Sequence, residues 1–407
     1  MTEEKPSEKP AEQRKLFLFG VPEVLYAPHR AFRDIVTNPK IYGPILLMIL
    51  FVATYTAFGN VAFSKIYDES TFPDLSQHLD LWTENATLWT SNAVPALSND
   101  AVNGSGAYFG NNSIQFSLDN TAHVFMQINF SDAVNCTGPE GYKNVSFRTK
   151  VVQPAGVDVA NVSVNLFSDG VGQFYYNLTS QLVPTNNTQW YNFTLGVGPQ
   201  AGWAESDSSA DWSNITGLEF DFDWNQSVNM TVLVDGLYFR GLFQSISSDA
   251  TSLAYSFATT GFMRFVVTWV VLGGVLYIVA RGLGGKSHWK TMLLLTGFCL
   301  APLFVGNIIT TGAYTTLPVI YRPVELFSGV PGEYDIAYAA LVEKTSTVTT
   351  VDQYTQVAML IWVVILCTFA ANAATEMSKL KSFLVAMSSY LLSMIITELI
   401  LSLFVAF

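Results

Sequence analysis

The chain has 407 residues, half of them hydrophobic, with aromatic residues at 14% and charged residues at only 13%. An average soluble domain carries about 25% charged residues, and mean hydropathy here is +0.31, so a wholly soluble or disordered chain is excluded and a membrane protein is expected. A formal net charge of −12 argues against nucleic acid as a partner.

Cys299 and Cys367 lie in apolar runs and Cys136 stands alone, so no intrachain disulfide framework is expected. His29, His78, His123 and His288 are scattered singly and form no zinc pattern. Residues 1–15 are rich in Glu, Lys and Pro and are expected to be disordered. Residues 28–37 (PHRAFRDIVT) read as one short helix: Pro28 suits its first turn, and Asn38 before Pro39 ends it. Ala31, Phe32, Ile35 and Val36 share one side, with Arg30, Arg33 and Asp34 opposite. Such a helix either lies in the cytoplasmic interface with its arginines near lipid phosphates or packs on the spans.

Uncharged stretches mark five candidate spans: residues 41–64, 265–280, 291–321, 353–375, and 382–407, the last broken only by Glu398. Each approaches or exceeds the roughly 20 helical residues that cross a bilayer core. Lys and Arg near span ends stay in the cytoplasm. Arg30, Arg33 and Lys40 precede the first span; Arg281, Lys286 and Lys290 join the second to the third; Lys379 and Lys381 join the fourth to the fifth. On the other side, residues 322–352 hold two basic residues against five acidic, and residues 66–250 hold four against 19, a net of −15. The reading is a cytoplasmic tail (1–40), a first span (41–65) acting as signal anchor, an exterior domain (66–250), and spans two to five (251–407) with the C-terminus outside.

The exterior segment shows period-two alternation, the strand signal. Val162, Val164 and Leu166 alternate with Ser163 and Asn165; Leu218, Phe220, Phe222 and Trp224 with Glu219, Asp221 and Asp223; Val228, Met230, Val232 and Val234 with Asn229, Thr231 and Asp235. About eight such strands between Gly, Asn, Asp and Ser turns point to an antiparallel, all-β sandwich. The fold class expected is therefore a five-span α-helical membrane bundle plus a jelly-roll sandwich.

Thirteen N-x-[ST] sequons occur, at Asn85, Asn103, Asn111, Asn129, Asn135, Asn144, Asn161, Asn177, Asn186, Asn192, Asn214, Asn225 and Asn229. All lie in the exterior segment; chance would give about four of its 19 asparagines if roughly a fifth of residues are Ser or Thr. N-linked glycans and a cell-surface or lumenal setting are expected; a merely Asn/Thr-rich surface is the alternative.

WYNFTLGVG, DWSNITGLEFDF and VNMTVLVDGLYFRG resemble the last third of galactose-binding-like jelly rolls found in carbohydrate-binding modules. Members often hold a structural calcium through a carboxylate of the last strand, which the resemblance places at Asp235; an Asp closing a turn before Gly236 is the alternative. Sugar binding needs exposed aromatic faces, and Trp203 and Trp212 in the polar loop 198–213 are the candidates, against a capping role for both. The row Glu219, Asp221, Asp223 reads as a solvated face.

PHRAFRDIVTNPKIYGPILLMILFV, and GLGGKSHWKTMLLLTGF opening the third span and continuing to Ala301-Pro302, resemble the Yip1 domain family. The resemblance implies five spans, a cytoplasmic N-terminus and, for eukaryotic members, vesicle traffic with Rab-type GTPases. The chain departs from the family in its short tail, which puts GTPase binding in doubt, and in the large domain between spans one and two.

Arg264 and Glu398 each lie 17 residues from a cytoplasmic-side basic residue (Arg281, Lys381), about 25 Å along a helix. Equal depth suggests an intramembrane ion pair, which relieves the cost of each charge; an ion relay is the functional alternative. Asn307 is expected to hydrogen-bond near a Pro302 kink. No catalytic constellation stands out. The expected function is a non-enzymatic membrane scaffold or adaptor that contacts lipid and, through the sandwich, glycans or envelope proteins. Alternatives are a transporter or channel with a sugar-recruiting domain, an accessory subunit of a larger complex, or a homo-oligomer.

Overall fold

The computed structural model describes residues 20–39, 41–74, 80–102, 109–168, 172–182, 189–206 and 209–405. The tail expected to be disordered, His78, and the sequons Asn103 and Asn186 lie outside the described residues. The chain forms two compact units: a helical one built from the N-terminal part and residues 247–318 and 344–407, and a β-rich one of residues 66–246 and 319–343.

In the helical unit, α1 (Gly20–Tyr26) is followed by α2 (Pro28–Thr37), which has proline in its first turn and ends at Asn38. Ala31 and Phe32 are buried, Ile35 and Val36 pack against the same cluster, and Arg30 and Arg33 remain exposed. Of the two placements open from sequence, packing on the spans is the one adopted, against α5 below. Next comes α3 (Tyr42–Phe63), then α4 (Ala250–Gly282), then α5 (Trp289–Cys299) and α6 (Ala301–Thr315). Pro302, lacking an N–H, sits in the first turn of α6, so the third span breaks where the proline ring would clash with a continuing helix. Asn307 lies past that break, but its amide donates to Thr54 Oγ1 on α3 at 3.3 Å; it joins two spans rather than satisfying the kink.

A short α7 (Glu325–Ser328) belongs to the β-rich unit, and α8 (Glu333–Thr375) begins there and continues as the fourth span. At its end Asn372 donates to the Met377 carbonyl at 2.6 Å, closing the turn into α9 (Lys379–Val405). Five helical stretches are long and apolar enough to cross a membrane: Tyr42–Phe63, Ala250–Gly282, Trp289–Thr315, Glu333–Thr375 and Lys379–Leu403. With no hydrophobic drive between helices in lipid, close approach of small residues does the packing. Gly43 lies under the Phe298 ring, and Ala386, Ser389, Ser393 and Thr397 of α9, which packs on α4, are buried.

The β-rich unit contains β1 (Ile66–Phe72), β2 (Trp89–Ser91), β3 (Ala96–Ser98), β4 (Ser113–Val134), β5 (Asn144–Gln153), β6 (Asn161–Ser168), β7 (Gly172–Asn177), β8 (Tyr191–Gly196), β9 (Ala204–Glu205), β10 (Ile215–Ser245) and β11 (Ile320–Arg322). Two alternations separate in the sequence, 218–224 and 228–235, are one continuous strand, β10. It pairs antiparallel with β4 nearly throughout, with an irregularity between Asp223 and Val228. Upstream of that point β10 pairs with β6 on its other edge; downstream it pairs with β5 and then β1. One ribbon therefore serves both layers of the sandwich. The layers meet where Phe147 of β5 lies 4.7 Å, centroid to centroid, from Phe220 of β10. Leu218, Phe220, Phe222 and Trp224 are all buried, as their parity requires.

The segment between the third and fourth spans, placed by sequence within the 251–407 span region, folds onto this sandwich as residues 319–343 of the β-rich unit. Ile66 pairs in parallel with Ile320, and Arg322 binds Asp68 through two bonds of 2.6 Å. Arg148 binds Glu333 at 2.9 Å. Arg240 holds both Glu69 (2.7 Å) and Glu325 (2.9 Å), while Glu69, only 2% exposed, also accepts from the Val324 N–H. Removing one partner of a buried pair leaves an uncompensated charge, costing about 3–5 kcal/mol. Arg240→Ala is expected to lower the thermal midpoint of the β-rich unit by on the order of 10 °C, measured by melting the full chain in detergent with tryptophan fluorescence.

Candidate functional site

Outward parity on β10 sets Glu219, Asp221 and Asp223 in a row, each half-exposed. Strand register supplies the neighbours. On β6, Glu219 faces Asn165, Asp221 faces Ser163 and Asp223 faces Asn161. On β4, Glu219 faces Gln127 and Asp223 faces His123. On β7, Asn165 faces Tyr175 and Ser163 faces Asn177. The outer surface of this sheet is thus a lattice of carboxylates and amides, bordered by Tyr175 at 38% exposure.

The lattice is internally bonded. Asn165 Nδ2 donates to Asp221 at 2.8 Å and Glu219 at 3.2 Å, and His123 Nε2 lies 3.1 Å from Asp221. Asn161 Nδ2 donates to Asp223 at 3.3 Å, and Asn177 Nδ2 donates to Asn161 at 3.0 Å. Partial burial, then the charge of Asp221, push the Glu219 carboxyl above its ordinary value. Such a surface offers acceptors and donors at strand spacing, which suits a ligand carrying many hydroxyls. Among the described residues no group of three His, Cys, Asp or Glu is placed to hold a metal ion.

The tryptophans named from sequence lie together but serve packing. Trp212 is 5% exposed and stacks on Phe174 with centroids 3.8 Å apart, so it has no face for a sugar; this corrects the stacking expectation for it. Trp203 meets Trp212 edge-on at 5.8 Å, packs near Tyr176, and donates its indole N–H to the Gly196 carbonyl at 2.7 Å; it is half-buried. Loop polarity concealed this, because the face a loop tryptophan turns inward depends on strand pairing. Tyr175 went unnamed and His123 was read only as one of four scattered histidines; the FYYN run of residues 174–177 was the signal for the tyrosine.

Of the sequon asparagines among the described residues, Asn85, Asn111, Asn129, Asn135, Asn177, Asn192, Asn225 and Asn229 are exposed, while Asn144, Asn161 and Asn214 are half-buried. Cys136, inside one sequon, is buried, which pushes its thiol up to about 12. In the helical unit, Arg264 Nη2 and Glu398 Oε1 are brought to 3.1 Å.

Asp235 is 1% exposed. Its Oδ2 accepts from the Val102 N–H at 2.7 Å, and its Oδ1 from the Gly236 N–H at 2.7 Å and Thr83 Oγ1 at 3.2 Å. N–H and O–H donors therefore sit where a calcium would have to bind, and hard cations want several oxygen ligands. Asp235 is an acceptor that pins the chain at Val102.

Apolar helices and a sandwich together define an integral, multi-pass membrane protein with a large β-domain. The model of the Yip1 domain matches residues 222–400. That match includes the glycine-rich turn before the third span, whereas the short helix and first span precede it. A search of curated proteins finds no match. Among solved structures, a family 11 carbohydrate-binding module from Clostridium thermocellum, in complex with a β-1,3-1,4-mixed-linked tetrasaccharide, is similar at 14% identity, over 43% of this chain and 95% of that one, with a TM-score of 0.28. The family 11 module of the Clostridium thermocellum cellulosomal cellulase Lic26A-Cel5E is similar at 17% identity, over 38% and 89%, with a TM-score of 0.26.

Burial, opposed by the Val102 N–H and reinforced by the nearby Asp80 carboxylate, pushes the Asp235 carboxyl from 3.8 up to about 7. The folded chain holds this proton more tightly than the unfolded one. Its contribution to stability is complete below about pH 4 and is lost as pH rises through about 7, at most about 4 kcal/mol. Asp235→Asn is expected to flatten that part of the stability–pH curve, read from denaturant midpoints between pH 4 and 8; an unchanged slope would assign it to another group.

Proposed function

We propose that the protein is a non-enzymatic membrane scaffold whose β-sandwich faces the non-cytoplasmic side and binds neutral or amino-bearing glycans on the β4–β10–β6–β7 surface. The observation that carries this reading is the half-exposed row of Glu219, Asp221 and His123, braced from beneath by the buried Asn165, beside the exposed Tyr175. Sugar hydroxyls exchange hydrogen bonds with such groups, and C–H faces pack on a phenol ring. The negative potential disfavours anionic polysaccharides. The charge asymmetry of the loops supports a cytoplasmic N-terminus with the sandwich and C-terminus outside. The exposure of most described sequons supports N-glycosylation. A glycan on Asn161 or Asn177 would lie across the proposed surface, since both amides belong to its lattice.

The test is a glycan array probed with the full chain in detergent, followed by titration of the best hit. Asp221→Asn and Tyr175→Ala are each expected to weaken binding by about ten-fold, or about 1.4 kcal/mol, with the melting midpoint retained. Binding that survives both changes excludes this surface. Protease applied to sealed right-side-out vesicles is expected to cut within residues 66–246 and to spare the first forty.

A further inference from the structure

The helical unit holds a half-open cavity of about 460 Å³ whose polar lining includes Arg264, Asn307, Thr310, Asp352, Gln356 and Tyr390. A cation and an anion therefore line one cavity among apolar spans. Arg264 meets Glu398 through Nη2 alone in the described contacts, and a guanidinium carries five N–H donors. Asp352 accepts from Thr310 Oγ1 at 3.3 Å and Gln356 Nε2 at 2.8 Å, and among the described residues no basic side chain forms a salt bridge with it. The chamber holds an anion-binding group and, separately, a carboxylate stabilised only by neutral donors.

Depth points to the occupant. Arg264 lies 18 residues before the basic end of α4 at Gly282, about 27 Å along the helix. Asp352 lies 23 residues before the end of α8 at Thr375, about 34 Å. A hydrocarbon core is about 30 Å thick, so both charges lie where the opposite leaflet's chains give way to headgroups. Closer to the basic end the lining is mostly apolar, with Phe51 of α3, Leu303 of α6, Leu360 of α8 and Met394 of α9 beside Thr268 and the Tyr390 phenol. Polar groups at headgroup depth above an apolar floor match a lipid entering head first.

We infer that this cavity binds a phospholipid whose headgroup pairs a phosphate with an ammonium: the phosphate at Arg264, the ammonium at Asp352. The inference is independent of the glycan surface. The full chain, delipidated in detergent, is titrated with short-chain phosphatidylethanolamine, phosphatidylglycerol and soluble phosphoethanolamine, with binding read by native mass spectrometry and by thermal shift. Phosphatidylethanolamine is expected to bind about ten-fold more tightly than phosphatidylglycerol, about 1.4 kcal/mol, and phosphoethanolamine more weakly than either lipid. Asp352→Asn is expected to abolish the preference while retaining phosphatidylglycerol binding. The charge-balanced pair Arg264→Gln with Glu398→Gln is expected to weaken both lipids. Equal binding of the two lipids by the unmodified chain overturns the inference without recourse to any variant, and so does a preference that persists in Asp352→Asn. Phosphoethanolamine matching the lipid overturns the lipid assignment in favour of a soluble zwitterion.

Discussion

The buried guanidinium of Arg240 is the contact on which the architecture of the β-rich unit depends. It joins residues 69, 240 and 325, which come from the first strand, the last long strand and the segment between the third and fourth spans. Desolvation works against a charged arginine, but hydrogen bonds to Glu69 and Glu325 overcome it and hold Arg240 more firmly protonated. Burial likewise opposes the Glu325 carboxylate, and the bonds and charge of Arg240 reverse that, keeping it below its ordinary value. A guanidinium held by two carboxylates satisfies most of its donors. Buried charge is tolerated here because it is divided among three chain segments, and each is fixed by the others.

What the sequence reveals follows from which forces have a period. Alternation placed Phe220 and Phe222 inward and Asp221 outward, because a strand turns successive side chains to opposite faces. Pro28 and Asn38 bracketed α2 because each acts on the backbone locally. Arg264 and Glu398 were brought together by depth alone, since helical rise is constant. Other features lack any period. The Arg322–Asp68 and Arg148–Glu333 bonds span long separations and leave no pattern, so sequence alone places residues 319–343 with the spans rather than with the sandwich. Trp212 looked exposed because its loop is polar, yet it stacks on Phe174. The candidate surface was half legible: its acidic row was visible, but Asn165, His123 and Tyr175 join it only through strand register.

The resemblance to carbohydrate-binding modules and the geometry of Asp235 pull in different directions. A carboxylate of the last strand is present where the resemblance expects one. In this chain its oxygens receive Val102, Gly236 and Thr83. Backbone N–H groups aimed at a buried carboxylate stabilise its charge much as a cation would, and they also fasten the preceding loop. That arrangement is incomplete compensation, since the carboxyl remains displaced toward its neutral form. Asp235 therefore holds the chain near Val102 in place through its hydrogen bonds, while its proton remains exchangeable near neutral pH.

Charge supply determines what the outer sheet can bind. Residues 66–250 hold four basic side chains against 19 acidic ones. Arg148, Lys150 and Arg240 are committed to Glu333, Asp100 and the Glu69–Glu325 pair, and Lys143 donates to the Gly138 carbonyl. None of these reaches Glu219, Asp221 or Asp223, whose partners among the described residues are amides, the His123 imidazole and, for Glu219 and Asp221, one another. Amides and imidazole orient the carboxylates without cancelling their charge. The surface keeps a negative potential and a dense set of acceptors, and it sits beside an aromatic ring. If the proposed glycan binding holds, a neutral hydroxyl-rich ligand would gain hydrogen bonds there without electrostatic penalty, an amino-bearing one would gain attraction as well, and a uronic or sulfated one would be repelled. Under the proposed function, the shortage of cations in the unit, which the composition already records, is what would set selectivity at this surface.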